Sequence, residues 1–76
     1  MKRECACCGF LTVTEEHEVC PVCFWEEDKV QNADVLYEGG ANEMNLKTAR
    51  ENYRKYGAVS EKYIDKVRKP KKEEEK

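Results

Sequence analysis

The chain contains two closely spaced C-x-x-C pairs, and their four thiols are its best candidates for binding a metal or for redox chemistry. Cys5 and Cys8 form the first pair, Cys20 and Cys23 form the second, and eleven residues separate the two pairs. Four thiolates at tetrahedral corners are the preferred ligands of a structural zinc ion. The spacing therefore predicts one Zn2+ held by these four cysteines, although iron in a rubredoxin-type centre would use the same ligands.

The same pairs have two other interpretations. A thioredoxin-like redox site needs a βαβ context, which the sequence does not show. A disulfide framework would leave one of the five cysteines unpaired. The stretch from Met1 to Cys5 has no apolar run, so we expect no secretory signal, no transmembrane segment and a cytoplasmic protein with reduced thiols. These arguments favour a metal site.

Two further residues stand near the pairs and can take part in their chemistry. Cys7 lies inside the first pair and is either a spare thiol, an alternate ligand, or a redox-responsive group activated by the metal. His17 can bind a metal in principle, but four cysteines already fill a tetrahedral site. We expect His17 to lie on the surface.

The size and charge of the chain indicate that the metal supports folding. The chain has 76 residues, and 39% of its side chains are charged. Its core is too small to offset the conformational entropy lost on folding without added stabilisation from disulfides or a metal ion. The charge is also unevenly distributed. Residues 1–42 hold three basic and nine acidic side chains, whereas residues 43–72 hold ten basic and four acidic ones. The molecule should be strongly dipolar.

The elements that position the cysteines follow from periodicity. Leu11 and Val13 alternate with threonines, which predicts a short β-hairpin from Gly9 to Cys20 between the pairs. Residues 24–42 predict irregular structure with one turn of helix, in which Trp25 belongs to the core.

Two helices are predicted in the second half. The first runs from Asn45, as N-cap, to Tyr56, with Gly57 at the left-handed position that ends it. The second runs from Ser60 to about Lys69. The charged residues 71–76 predict a disordered tail beyond a single zinc-binding domain of residues 1–70.

Basic residues of the two predicted helices form a candidate interaction face, and the sequence shows no catalytic constellation. Arg50, Arg54, Lys62 and Lys66 are spaced to present positive charge to nucleic acid. Against this, the pI of about 5.5 is far from basic. The chain has one histidine and no nucleophile motif, and four thiolates leave zinc no open position. We expect no enzymatic activity.

The chain resembles the bacterial cysteine-rich CPCC family of small proteins. The motifs that carry the resemblance extend from Cys5 to Pro70: Cys5-Ala6-Cys7-Cys8-Gly9, Cys20-Pro21-Val22-Cys23-Phe24-Trp25-Glu26, Gly39-Gly40-Ala41-Asn42, Leu46, Ala49-Arg50, Asn52-Tyr53, Tyr56-Gly57-Ala58, and Arg68 with Pro70. Ala6 stands where the motif that names the family has proline. The resemblance implies a metal-binding domain with no established activity, and it places Cys7, Arg50 and Asn52 within the family pattern.

These observations predict a small α+β protein with a zinc-ribbon-like hairpin, two C-x-x-C turns and two C-terminal helices. The predicted function is a non-catalytic module that binds a protein partner, with structural zinc held by Cys5, Cys8, Cys20 and Cys23. The alternatives are a nucleic-acid-binding zinc ribbon, and a thiol-based redox or metal sensor centred on Cys7. The sequence leaves the oligomeric state open.

Overall fold

The computed structural model describes residues 2–76. Two short strands, β1 and β2, form an antiparallel sheet, and helices α1 and α2 and two 3-10 helices follow along the chain. Their bounds are Arg3–Glu4 (β1), Leu11–Val13 (β2), Lys29–Ala33 (α1), Leu46–Tyr56 (α2), Glu61–Lys66 (first 3-10 helix) and Lys72–Glu74 (second 3-10 helix). The predicted combination of a two-stranded hairpin with helices is therefore present.

The hairpin encloses the first cysteine pair, so the prediction that it joins the two pairs is wrong. Strand β2 lies where the alternation predicts it, but its partner is β1, with Arg3 opposite Val13. Across the second pair, Val19 forms an antiparallel bridge with Glu26. The physical reason is that each C-x-x-C turn reverses the chain, so the segments that flank a turn are the ones that pair.

Helix α2 agrees with the sequence at both ends. The Asn45 side chain accepts a hydrogen bond from the Thr48 N–H at 2.8 Å, and Gly57 has φ +80° and donates to the Tyr53 carbonyl. These contacts join residues a few positions apart, and for that reason local sequence signals are enough to predict them.

The prediction of the second helix is wrong in helix type and in length. The structure has a 3-10 helix that ends at Lys66, and Ser60 makes no side-chain cap. Val67 is extended because the chain there leaves the helix so that the Arg68 N–H donates to the Pro21 carbonyl at 3.1 Å. A tertiary hydrogen bond thus ends the element before the position at which Pro70 would have ended it.

The tail that the composition predicts to be disordered contains an ordered turn. Residues Lys72–Glu74 form the second 3-10 helix, and the Glu74 side chain is only 9% exposed. Both terminal nitrogens of Arg68 donate to the Glu74 carboxylate, at 2.8 and 2.7 Å. Composition alone predicts solvation, whereas this specific bidentate pair fixes the segment. The domain boundary at residue 70 stays a prediction.

The core combines apolar side chains with cysteine sulfurs. Trp25 is fully buried, as predicted, and its indole N–H donates to Asn32 at 2.9 Å. Buried apolar residues and three of the cysteines surround it: Val13, Val22, Leu46, Ala49, Val59, Cys5, Cys20 and Cys23. Within residues 2–76, no helix has the length and apolar character needed to cross a bilayer.

Candidate metal centre

The two cysteine turns, residues 5–8 and 20–23, have the same backbone geometry. In the first turn the Cys5 N–H donates to the Phe10 carbonyl and the Gly9 N–H donates to the Cys5 carbonyl, both at 2.9 Å. In the second turn the Cys20 N–H donates to the Trp25 carbonyl and the Phe24 N–H donates to the Cys20 carbonyl, both at 2.8 Å. Each turn therefore directs its two sulfurs to one side.

Glycine and phenylalanine take the same left-handed backbone position after the two turns. Gly9 has φ +83° and Phe24 has φ +76°. From the sequence, Phe24 in place of glycine predicts a less ideal second turn, yet the turn has the geometry of the first. The strain of a left-handed non-glycine residue is on the order of 1 kcal/mol. The Phe24 ring stacks on Tyr63 with centroids 4.4 Å apart, a contact that helps to offset this strain.

The four predicted ligands come together at one point. The Sγ atoms of Cys5, Cys8, Cys20 and Cys23 all lie within 4.8 Å of one another. The Cys5 and Cys23 sulfurs are 3.5 Å apart and the Cys8 and Cys20 sulfurs are 3.7 Å apart. Tetrahedral sulfurs about 2.3 Å from a common ion would be about 3.8 Å apart. Four cysteines at this spacing can hold a metal ion, and all five cysteines among the described residues are free of disulfides.

The electrostatics of the cluster also suit a cation. Hydrogen bonds from Cys23, Cys5 and Cys8 lower the pKa of the Cys20 thiol. In turn, the interaction with Cys20 is the main cause that raises the pKa of Cys5, Cys8 and Cys23. Without an ion, the cluster thus stabilises one thiolate and keeps the others protonated. Four thiolates at this spacing require a positive charge among them.

Polar groups around the sulfurs complete the centre. The backbone N–H groups of Val22 and Trp25 donate to the sulfurs of Cys20 and Cys23, each at 3.4 Å. The Thr12 hydroxyl lies 3.0 Å from the Cys20 sulfur and is fully buried. The sequence analysis missed Thr12, because alternation along β2 places it on the face opposite Leu11 and Val13. No local signal identifies it as a neighbour of the cysteines.

The C-terminal half of the chain holds both turns in place. From α2, the Arg50 side chain donates through Nε to the Ala6 carbonyl in the first turn, at 2.9 Å. The Val59 N–H donates to the Cys23 carbonyl at 2.9 Å, and Asn52 in turn donates to the Val59 carbonyl at 2.8 Å. Arg50 and Asn52, which the resemblance places in the family pattern, thus make structural contacts near the cluster.

Tyr53 lies close enough to the cluster to sense its charge. It is half-buried and packs against the core that contains three of the cysteines. Burial, with a further electrostatic contribution from the nearby cysteine sulfurs, raises the pKa of Tyr53 to about 12. Its hydroxyl therefore stays neutral at physiological pH.

Cys7 and His17 have different positions relative to the cluster. Cys7 is half-buried and packs against the core that contains Cys5, Cys20 and Cys23. The His17 side chain is 62% exposed and lies 3.4 Å from the Glu26 carboxylate. The structure thus places both residues outside the group of four sulfurs, with Cys7 packed against the core and His17 on the surface.

The four basic residues proposed as an interaction face are all exposed, but they are not equally free to bind an external partner. Lys62 pairs with the Glu43 carboxylate at 2.7 Å, and Arg50 is engaged with the first cysteine turn. Arg54 and Lys66 lie exposed on α2 and on the first 3-10 helix. Two of the four therefore already have intramolecular partners.

One comparison with known proteins gives a match. The model of a protein family described as "Cysteine-rich CPCC" matches residues 3–74, a range that includes the two cysteine turns and α2. No curated protein matches the chain.

Proposed function

This chain belongs to the cysteine-rich CPCC family, and we propose that it is a small zinc protein that binds a protein partner and has no catalytic role. One structural Zn2+ would be held by Cys5, Cys8, Cys20 and Cys23. The observation that carries this proposal is the cluster of four sulfurs at tetrahedral spacing. When bound, the ion would neutralise the thiolates and join the two cysteine turns.

A structural role fits the chemistry of the site better than a catalytic one. Four protein ligands fill a tetrahedral zinc site, whereas catalytic zinc sites keep one position for water or substrate. Cys5, Cys20 and Cys23 are buried, and Cys8 is half-buried. Among the described residues, no other group of histidines, cysteines and carboxylates is close enough to hold a metal.

Elemental analysis tests the identity and number of the ions. The protein is purified under reducing conditions without added metal, and we expect one zinc per chain. Equimolar iron, with the visible absorption of iron–thiolate bonds, would replace zinc in the proposal, and metal-free folded protein would contradict it. Cys23→Ser should lose the ion, whereas Cys7→Ser is the matched control and should keep it.

The interaction role is supported by the surface. The acidic residues are concentrated before residue 43 and the basic ones after it. Several large apolar side chains are exposed, with Leu36 at 63% and Val30 at 56%. We expect the metal-loaded protein to retain a protein partner from an extract of its native cell, and we expect Cys23→Ser to lose it. Retention of nothing above the level of an unrelated zinc protein would contradict this role.

The nucleic-acid alternative is weaker because of the contacts of Lys62 and Arg50. It predicts that binding falls steeply with salt and is lost in an Arg54→Glu, Lys66→Glu double variant, which leaves the contact of Arg50 with the first cysteine turn intact. Binding that does not respond to salt, or no binding, would rule it out.

The sensor alternative is supported by the packing of Cys7 against the core that contains Cys23. In this scheme peroxide oxidises the Cys7 thiol and the Cys23 thiolate to a disulfide, takes up one further proton and is reduced to two waters. The metal would then lose one ligand. The scheme predicts that mild peroxide releases the ion and that Cys7→Ser slows the release, and equal release from both proteins would reject it.

A further inference from the structure

An apolar groove lies between α2, the first 3-10 helix and the segment 67–70. Its volume is about 330 Å³, at the lower end of the range for small binding sites. Most of its lining is aromatic or aliphatic, and we call it the tyrosine groove after two of its lining residues. The apolar lining residues are Val22, Tyr53, Tyr56, Ile64, Val67 and Pro70.

The second cysteine turn forms one wall of the tyrosine groove. Val22 lies between Cys20 and Cys23 and is buried. The opposite side is held to this turn because the Arg68 N–H donates to the Pro21 carbonyl at 3.1 Å. The groove therefore depends on the same turn that supplies two of the four sulfurs, and its shape should depend on the bound ion.

The rim of the tyrosine groove is basic. Arg68 and Lys69 line it, and no carboxylate is among the described residues that do so. The Lys55 ammonium group lies 5.2 Å from the centroid of the Tyr56 ring. Arg68 is already paired with the Glu74 carboxylate in bidentate geometry, so Lys69 and Lys55 are the cations that an occupant would meet. An occupant of this groove should therefore be apolar at its centre and acidic at its edges.

We propose that the tyrosine groove binds a short protein segment with one aromatic or aliphatic anchor flanked by aspartate or glutamate. The inference rests on the proposed interaction role and adds its location and the chemistry of the partner. Ile64, which is 44% exposed, would contact the anchor, and Lys69 would contact a flanking carboxylate. A nucleic acid, which carries a phosphate at every nucleotide, fits less well, because most of the lining is apolar and Arg68 is already paired with Glu74.

A selection from random peptides tests the proposal while the partner is still unidentified. A displayed library of 12-residue peptides is selected on the metal-loaded protein, and the enriched peptides are labelled with fluorescein for anisotropy titrations. We expect enriched sequences that combine an aromatic or aliphatic residue with acidic ones. Ile64→Ser and Lys69→Glu should each weaken their binding at least about tenfold. Addition of a chelator should abolish it.

Matched variants outside the groove separate the proposal from its premise. Leu36→Ser removes an aliphatic side chain that is more exposed than Ile64, and Lys29→Glu reverses an exposed charge on α1. Neither variant should change the affinity. If the affinity of the selected peptides falls in Leu36→Ser and not in Ile64→Ser, the groove is not the binding site, while the proposed interaction role is retained. No enriched peptide at all would count against both. Tighter binding of a single-stranded oligonucleotide, lost in Lys69→Glu, would assign the groove to nucleic acid and overturn the proposal.

Discussion

Thr12 shows, at the scale of single residues, how a side chain that is not a ligand can belong to a candidate metal centre. Its hydroxyl lies 3.0 Å from the Cys20 sulfur, inside a fully buried environment. A hydrogen bond to a metal-bound thiolate stabilises its negative charge and fixes its orientation, and the loss of such a contact typically lowers metal affinity about 10- to 100-fold.

Thr12→Val tests this role because it removes the hydroxyl and conserves the shape of the side chain. We expect zinc affinity to fall about 10- to 100-fold, as measured by competition with a chromophoric chelator. Thr14→Val is the control, since Thr14 is exposed and its hydroxyl bonds to Glu18 instead. If both variants bind zinc like the parent protein, the Thr12 hydroxyl does not contribute to the site.

At the scale of elements, a single glutamine organises the long connection between the second cysteine turn and α2. Gln31 is fully buried, and its amide donates to the carbonyls of Tyr37 and Met44. Its oxygen accepts from both the backbone and the side chain of Asn42. A Cβ at Gly40 would lie 2.6 Å from the Gln31 side chain. Apart from α1, which contains Gln31, the connection has no regular secondary structure, and it is ordered around this side chain.

Gln31→Leu should destabilise the protein by about 2–4 kcal/mol, because it leaves three partly buried backbone groups without their hydrogen-bond partner. Chemical denaturation of the metal-loaded protein measures the change. Gly40→Ala should also destabilise it, since the added methyl group displaces Gln31. Asn32→Asp keeps an acceptor for the Trp25 indole and serves as a neighbouring control. Unchanged stability in Gln31→Leu would show that the connection is ordered by other contacts.

The C-terminal segment is a second element that depends on one pair, Arg68 with Glu74. The hydrogen bonds from Arg68, followed by the one from the Lys71 backbone N–H, lower the pKa of Glu74 to about 2. Because this pKa is below the ordinary value of 4.5, the pair stabilises the folded segment fully above pH 4.5. This contribution is lost as the pH falls from there through about 2.

Glu74→Gln should therefore release residues 71–76 at neutral pH, as measured by faster amide hydrogen exchange there, while Glu73→Gln should not. In the parent protein we expect the same protection at pH 8 and at pH 5.5, since Glu74 is ionised at both. A loss of protection between these two pH values would contradict the lowered pKa.

At the scale of the whole molecule, the cysteine cluster and the apolar core are one unit. Cys5, Cys20 and Cys23 pack in the same cluster as Trp25 and Leu46. Apparent zinc binding free energies of about 10–16 kcal/mol are typical of small structural sites. The net stability of an entire domain is about 5–15 kcal/mol. The free energy that a bound zinc ion would contribute is therefore large enough that its removal should unfold the chain.

Metal removal should expose Trp25, which is fully buried in the folded protein. Upon chelation we expect a red shift of tryptophan fluorescence together with loss of the near-ultraviolet circular dichroism signal. Both should return when zinc is added back under reducing conditions. A chelated protein that keeps a buried tryptophan would show that the apolar core suffices without the ion.

Sequence patterns are sufficient for the features that a recognisable motif specifies. The two C-x-x-C pairs predict which sulfurs meet, although Cys5 and Cys23 are 18 residues apart, because a tetrahedral site takes four ligands. Asn45 and Gly57 predict both ends of α2. Trp25 was placed in the core because so small a chain has few apolar side chains of that size. Within a few residues, the possible hydrogen bonds and side-chain directions are limited enough for the pattern to decide.

Other features depend on contacts that no motif specifies, and these are visible only in the folded chain. The strand that pairs with β2, the burial of Thr12 against Cys20 and the docking of Glu74 on Arg68 each join segments that local patterns treat separately. The second predicted helix ended early for the same reason, since the Arg68 N–H bonds to Pro21. For contacts of this kind many alternative pairings are possible. The free energies of these pairings differ by little until the whole core has packed.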